Sequence, residues 1–176
     1  MIGLLRLVGL LNAAVWFGAA VFFLFGAEPA LTGSRDIQQL LEPQNYPYFS
    51  VALAQLVGVR FFRLYLLCGF IALLHLTGEW LYLGKYPRRL WLALLLMLWL
   101  GGCLEAFWLQ PRLHTLHQRE FTASAQRVAA RDSLRFWQGA SHTLEAVLVC
   151  GLGIYLWRMA NPPDPMRFVS ATKFRS

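Results

Sequence analysis

A small number of side chains that can bind a proton or a metal ion lie inside long apolar stretches of the sequence. Glu105 lies in the apolar run 90–112, and His142 and Glu145 lie three residues apart in the run 141–159. A carboxylate at membrane depth is costly, so it usually pairs with another group, faces the protein interior or marks a site. Residues three apart on a helix share a face. Glu105, His142 and Glu145 are therefore the main candidate cluster.

Four apolar runs reach the roughly 20 residues that are needed to cross a bilayer. They cover residues 4–25, 62–83, 90–110 and 141–159. Backbone polar groups in lipid must be satisfied within the segment, and a barrel strand would alternate apolar and polar residues, so the runs predict helices. The predicted fold is all-α, with a four-helix transmembrane bundle over residues 1–160 and a basic, proline-containing tail over 161–176.

Composition supports a membrane protein. The chain of 176 residues is 57% hydrophobic and 14% charged, whereas a soluble domain carries about a quarter charged residues. The formal charge is +7, but the basic residues stand at the ends of the apolar runs. That distribution favours anionic lipid headgroups at the basic turn and tail, and it argues against nucleic acid.

The sequence contains no motif that indicates catalysis. It has no nucleophile elbow, phosphate-binding loop, zinc-protease motif or dinucleotide fingerprint. The three cysteines are dispersed over three apolar runs, with no CxxC pair, so they are predicted to be structural thiols. We predict that the protein is not an enzyme and has no cofactor and no metal.

The connecting segments give the predicted topology. Residues 36–59 suit a pair of helices at the membrane interface, interrupted by prolines. Residues 113–135 are polar and predict an extramembrane helix or a continuation of the third span. The short turn 84–89 contains three cations, Lys85, Arg88 and Arg89. Positively charged short loops favour the cytoplasm, so both termini are predicted to be cytoplasmic, in a plasma or inner membrane.

This topology allows the depths of the ionisable groups to be compared. Glu105 is about 15 residues, or about 22 Å, from the cytoplasmic start of its helix, which places it in the outer third of the bilayer. His142 and Glu145 reach the same depth from the opposite direction. Arg60 and Arg63 belong to that side as well. We therefore expect the three residues to converge, with one or both arginines as counter-charges.

Several interpretations of this cluster remain open. One interpretation is a buried network that fixes helix register, and another is a proton or cation path. A carboxylate–histidine metal site has a precedent in bundles with Glu-x-x-His repeats, but only one such pair occurs here, in reverse order. Bis-histidine haem would need His75 at the depth of His142, and His75 lies nearer mid-membrane. His75 and Glu79, four residues apart on one helix face, form a second polar pair outside the cluster.

The first helix carries residues suited to helix packing. Asn12 can hydrogen-bond to a neighbouring helix, and Ala14 and Gly18 form a small-xxx-small pair that allows close approach. The leading functional hypothesis is a non-enzymatic membrane protein that assembles with itself or with a larger membrane complex. The alternative is a small transporter, or a proton- or ion-handling protein, that uses the Glu/His cluster.

Short motifs along nearly the whole chain give a family resemblance. They are Trp16-Phe17-Gly18, Phe22-Phe23, Pro29, Tyr46-Pro47-Tyr48-Phe49, Trp108-Leu109-Gln110-Pro111-Arg112 and Phe136-Trp137-Gln138-Gly139-Ala140-Ser141. With these motifs the chain resembles the transmembrane-protein-205-like family, whose domain has no assigned function. The resemblance implies four spans and an integral membrane location, and it implies no catalytic chemistry. Gln138 stands where the family pattern has histidine, and Glu145 where asparagine is common.

Overall fold

A computed structural model describes residues 2–33, 35, 39, 46–83, 89–122 and 127–161. These residues are almost entirely helical, and none of them forms a strand. The helices are α1 (Ile2–Phe22), α2 (Glu28–Gly33), α3 (Tyr46–Leu83), α4 (Arg89–Leu104), α5 (Gln110–Thr122) and α6 (Arg127–Ala160). Two π-helical turns, Phe23–Ala27 and Glu105–Leu109, join α1 to α2 and α4 to α5.

Four helical stretches are long and apolar enough to cross a membrane. They are Leu4–Leu31, Tyr48–Leu81, Arg89–Gln118 and Asp132–Ala160, referred to below as spans 1 to 4. The all-α prediction and its four spans are confirmed. By length and composition, the chain is a multi-pass membrane protein. The predicted basic turn and the predicted tail lie largely outside the described residues.

Span 2 is longer than the sequence predicted. Residues 48–59 were expected to form a separate interfacial helix, but α3 runs without a break from Tyr46 to Leu83. No proline lies between Tyr48 and Arg60, so the helix continues directly into the predicted span. Residues 36–38 and 40–45, where the other interfacial helix was predicted, lie outside the described part of the chain.

The connection between spans 3 and 4 is built from extensions of both helices. α5 continues span 3 to Thr122, which agrees with the predicted continuation of the third span. α6 begins at Arg127, before the predicted start of span 4 at residue 141. The π-helical turn Glu105–Leu109 ends two residues before Pro111. Because proline lacks the N–H that a regular helix would use, a shifted hydrogen-bond ladder suits this position.

Aromatic side chains fill the centre of the bundle. Trp16 is 1% exposed, and its ring meets Tyr65 and Tyr155 edge-on at centroid distances of 5.0 and 6.2 Å. The Tyr65 hydroxyl donates to the Leu98 carbonyl oxygen, 3.3 Å away. A Cβ atom at Gly102 would overlap the Tyr65 ring. Glycine at this position therefore allows spans 2 and 3 to approach closely.

Of the three predicted packing residues, Asn12 contacts another described span of this chain, whereas Ala14 and Gly18 do not. Asn12 Nδ2 donates to the Cys68 carbonyl oxygen at 2.9 Å, so it links spans 1 and 2 as predicted. Ala14 and Gly18 are exposed, and no atom lies within 4 Å of a Cβ built on Gly18. No described helix of this chain packs on them, because the buried small residues Ala13 and Ala20 face the core instead.

The contrast between two glycines provides a test of this packing. Gly102→Ala should lower the free energy of unfolding by about 1–3 kcal/mol, because the added methyl group overpacks against the buried Tyr65 ring. Gly18→Ala is the matched control, since its methyl group meets open space and alanine favours the helix. Thermal unfolding in detergent should show a lower Tm for Gly102→Ala only. Equal Tm values for the two variants would contradict the proposed close approach.

Candidate intramembrane carboxylate–histidine site

The two π-helical turns stand beside the carboxylates of the site. Glu28 directly follows the first turn, and Glu105 is the first residue of the second. A π turn inserts one residue, which rotates the following helix face by about 100° relative to a regular α-helix. Such turns are frequent at functional sites. Here both occur at the same end of the bundle.

Glu105 is fully buried, with 0% of its surface exposed. One of its carboxyl oxygens, Oε1, accepts a hydrogen bond from the Ser141 hydroxyl, which links spans 3 and 4. The Gln110 side chain lies beside the same carboxyl group. The second oxygen, Oε2, is buried and has no hydrogen-bond partner among the described residues. The Glu105 carboxyl group is thus hydrogen-bonded through Oε1, while Oε2 is an acceptor without a donor among the described residues.

His142 lies between two further carboxylates. Its Nδ1 atom is 3.5 Å from Glu28 Oε2 and 3.7 Å from Glu145 Oε2. One nitrogen or oxygen atom from each of these three residues lies within 4.8 Å of the other two. Glu145 is buried, whereas the His142 side chain is half exposed. The cluster therefore has a buried wall and an accessible side.

A cavity of about 70 Å³ adjoins this cluster. All four spans contribute to its wall, and Glu28 and His142 belong to both the cluster and the cavity. The other polar residues in the wall are Gln55, Gln110, His117, Gln138 and Ser141. Since about 10–15 Å³ of such space is enough to hold one water molecule, the cavity has room for several. The carboxylates are therefore next to a polar space that water can occupy.

The structure brings together the three residues that were predicted to converge, but not the predicted counter-charges. Glu105, His142 and Glu145 lie at the same end of spans 3 and 4. Arg60 and Arg63 are exposed, and neither forms an ion pair with Glu105 or Glu145 in the part of the chain described here. The prediction that an arginine neutralises Glu105 is wrong, because both arginine side chains are exposed whereas Glu105 is fully buried.

Two residues of the site were not among the predicted site residues. Glu28 lies beyond the predicted end of span 1 at residue 25, and its contact with His142 follows the π-helical turn before it. His114 and His117 lie in the polar segment 113–135, which was predicted to be an extramembrane helix or a continuation of the third span. Only His114 is exposed, whereas His117 is buried and lines the cavity.

His75 and Glu79 lie outside the cluster, as predicted. His75, predicted nearer mid-membrane, is close to the start of span 1, with its Nε2 atom 2.8 Å from the Leu5 carbonyl oxygen. His75 and Glu79 line a separate cavity of about 30 Å³ at this other end of the bundle. Leu5 and Glu28 stand 23 residues apart in span 1, so the two clusters are about 35 Å apart along the helix axis. His75 and His142 therefore do not form a bis-histidine haem site.

Aromatic residues close the end of the bundle near Glu105. The Arg112 guanidinium lies 4.3 Å from the centroid of the Trp137 ring and 5.4 Å from that of Trp108. The two indole rings meet edge-on at 5.2 Å. Cation–π contacts of this kind contribute about 0.5–1 kcal/mol each at exposed positions. They hold spans 3 and 4 together beside the cluster.

Comparisons of the chain with protein-family models, curated proteins and solved structures found no match. Membership in the transmembrane-protein-205-like family stays a prediction from short motifs.

The Glu105–Ser141 hydrogen bond can be tested by removing one or both partners. Glu105→Leu should lower the free energy of unfolding by about 1–3 kcal/mol, because the buried Ser141 hydroxyl loses its acceptor. Glu105→Gln retains an acceptor and should stay close to the parent protein. The double variant Glu105→Leu/Ser141→Ala should unfold at a higher temperature than Glu105→Leu. Additive losses in Tm from the two single substitutions would contradict a direct hydrogen bond.

Proposed function

We propose that this chain is a small, non-enzymatic, multi-pass membrane protein that handles a proton or a cation at Glu28, Glu105, His142 and Glu145. The observation that supports this function best is the convergence of three carboxylates from three spans around one histidine. We favour this function over the assembly hypothesis because assembly through α1 leaves the clustered carboxylates and His142 without a role.

Electrostatics favours a positively charged occupant. Glu105 and Glu145 are both buried, and within the described residues neither forms an ion pair with lysine or arginine. Burying carboxylates near one another is unfavourable unless a proton or a cation offsets their charge. The half-exposed His142 side chain and the adjoining cavity supply a polar route to these groups.

The proposed location is a plasma or inner membrane with both termini in the cytoplasm. This orientation rests on the three cations in the turn 84–89 and places the carboxylate cluster toward the outer side. The basic turn and the basic tail then lie near anionic headgroups of the cytoplasmic leaflet.

Cysteine labelling tests the orientation. A membrane-impermeant thiol reagent added to intact cells should label Ser124→Cys, in the connection between spans 3 and 4, and should not label Ser176→Cys. Both substitutions belong in a Cys150→Ser background, because Cys150 is exposed. Permeabilised cells should show labelling of both variants. The reverse pattern in intact cells would overturn the proposed orientation.

Uptake by proteoliposomes tests the function itself. Glu145→Gln should lower uptake of protons or of the transported cation about tenfold or more, the effect of losing an interaction worth about 1.4 kcal/mol. Glu79→Gln is the matched control, because it removes a carboxylate from the opposite end of the bundle. An internal pH dye and cation-sensitive dyes provide the readouts. Unchanged uptake in Glu145→Gln, or none by the parent protein, would contradict the proposal.

Self-assembly is the second candidate function, and one surface of α1 favours it. Leu7, Leu11, Ala14, Val15 and Gly18 are all exposed, and nothing lies close to Gly18. Small residues at the centre of an apolar helix face allow two helices to approach closely in a membrane. A second copy of the chain, or a subunit of a larger complex, would pack on this face of α1.

Disulfide crosslinking tests this assembly. In a Cys150→Ser background, Ala14→Cys should give a crosslinked dimer in native membranes under mild oxidation. Val147→Cys is the control, because Val147 is also exposed but lies on span 4. Adding Gly18→Leu to Ala14→Cys should abolish the dimer by blocking close approach. Crosslinking no greater than that of Val147→Cys would contradict self-assembly through α1.

A further inference from the structure

We infer that Glu28, His142 and Glu145 form a three-ligand site for a divalent transition-metal cation, for which Zn²⁺ is the best match. This inference rests on the proposed function and names the class of cation that the site takes. The sequence predicted no metal, because the site requires Glu28, and the pattern in span 4 alone supplies only two ligands.

The separations between the ligand atoms suit a metal better than a direct hydrogen bond. His142 Nδ1 is 3.5 Å from Glu28 Oε2 and 3.7 Å from Glu145 Oε2, longer than the roughly 2.7–2.9 Å of a charge-assisted hydrogen bond. Zinc bonds of about 2.0–2.1 Å at tetrahedral angles separate neighbouring ligand atoms by about 3.3 Å. All three ligand atoms lie within 4.8 Å of one another. Small side-chain movements would bring them onto one ion.

The ligand types select among cations. Imidazole nitrogen together with carboxylate oxygen suits zinc and its first-row neighbours. Calcium takes about six to eight oxygen ligands, and magnesium prefers octahedral oxygen coordination with several waters. A site with one nitrogen and two carboxylates is therefore a poor match for either ion. The fourth position of a tetrahedral ion would be taken by water from the polar cavity that Glu28 and His142 also line.

A second observation, independent of the clustering, points to an occupant. Glu145 is 6% exposed, and its Oε2 atom is buried without a hydrogen-bond partner among the described residues. That same atom faces His142 Nδ1. A buried carboxylate oxygen without a donor is costly, and a cation between it and the imidazole would satisfy it. Glu105, which accepts a hydrogen bond from Ser141, lies nearby without being a ligand.

Metal binding is best measured on the full-length protein in detergent, after removal of any polyhistidine tag and of bound metal with a chelator. Isothermal titration with Zn²⁺ should give one site per chain. Titration with Co²⁺ should give the visible absorption bands of a four-coordinate ion. Glu145→Gln and His142→Ala should each raise the Kd for Zn²⁺ at least tenfold, and the cobalt bands should be lost in His142→Ala.

The controls remove similar groups outside the site. Glu79→Gln removes a carboxylate at the other end of the bundle, and His114→Ala removes an exposed histidine. Both should bind Zn²⁺ like the parent protein. Unaltered circular dichroism and elution volume in the site variants would show that they fold. Absence of Zn²⁺ binding by the parent, or an unchanged Kd in both site variants, would overturn the inference.

This measurement is separate from the uptake assay. If Glu145→Gln abolishes proton uptake while the parent protein binds no Zn²⁺, the metal site is wrong and the proposed function stands. If the parent binds Zn²⁺ through Glu145 and His142 but takes up neither protons nor cations, the metal site stands and the handling function is wrong.

Discussion

The buried Glu105 carboxyl group is the constraint around which the end of this bundle is built. A fully buried acid needs a donor, and Ser141 on span 4 supplies it. That hydrogen bond fixes the rotation of span 4 against span 3. It thereby sets the positions of His142, one residue later, and of Glu145, one turn later. The arrangement of the whole cluster follows from satisfying one oxygen atom of one side chain.

The two π-helical turns complete this arrangement. A regular α-helix repeats its faces every 3.6 residues, which limits which side chains can point into the same space. The insertion before Glu28 and the insertion that begins at Glu105 change that phase at the end of the bundle where the polar groups meet. The apolar core below, around Trp16 and Tyr65, keeps regular helical packing. The bundle therefore has a conventional core and an irregular polar end.

Much of this organisation is predictable from the sequence. Hydropathy alone gave four spans, and counting residues from the ends of the spans brought Glu105, His142 and Glu145 to one depth. The contact made by Asn12 followed from the need to pair an amide in an apolar helix. These predictions succeed because helix length and the cost of burial act locally along the chain.

The remaining features depend on the phase and continuity of the helices, which hydropathy does not report. Arg60 and Arg63 were assigned to the cluster by depth, yet both lie on an exposed face of α3. Glu28 reaches His142 after a π-helical turn that leaves no clear mark in the sequence. His117 is buried and His114 is not, because only one face of α5 lies against the cavity. Counting residues gives only the depth of a side chain along the helix axis. A contact also depends on the direction in which that side chain points around the axis.

The length of α3 has a consequence for where the site meets water. Its membrane span of 34 residues extends about 51 Å, whereas the hydrocarbon layer is about 30 Å thick. An average helix tilt of about 20° absorbs only about 3 Å of this difference. With the Leu81 end placed at one boundary, Gln55, which lines the cavity, lies about 39 Å away along the helix and therefore beyond the far boundary of the hydrocarbon. The cavity, whose wall includes Gln55, Glu28 and His142, would then open toward the hydrated headgroup layer, and bilayer thickness would set how far hydration extends into it.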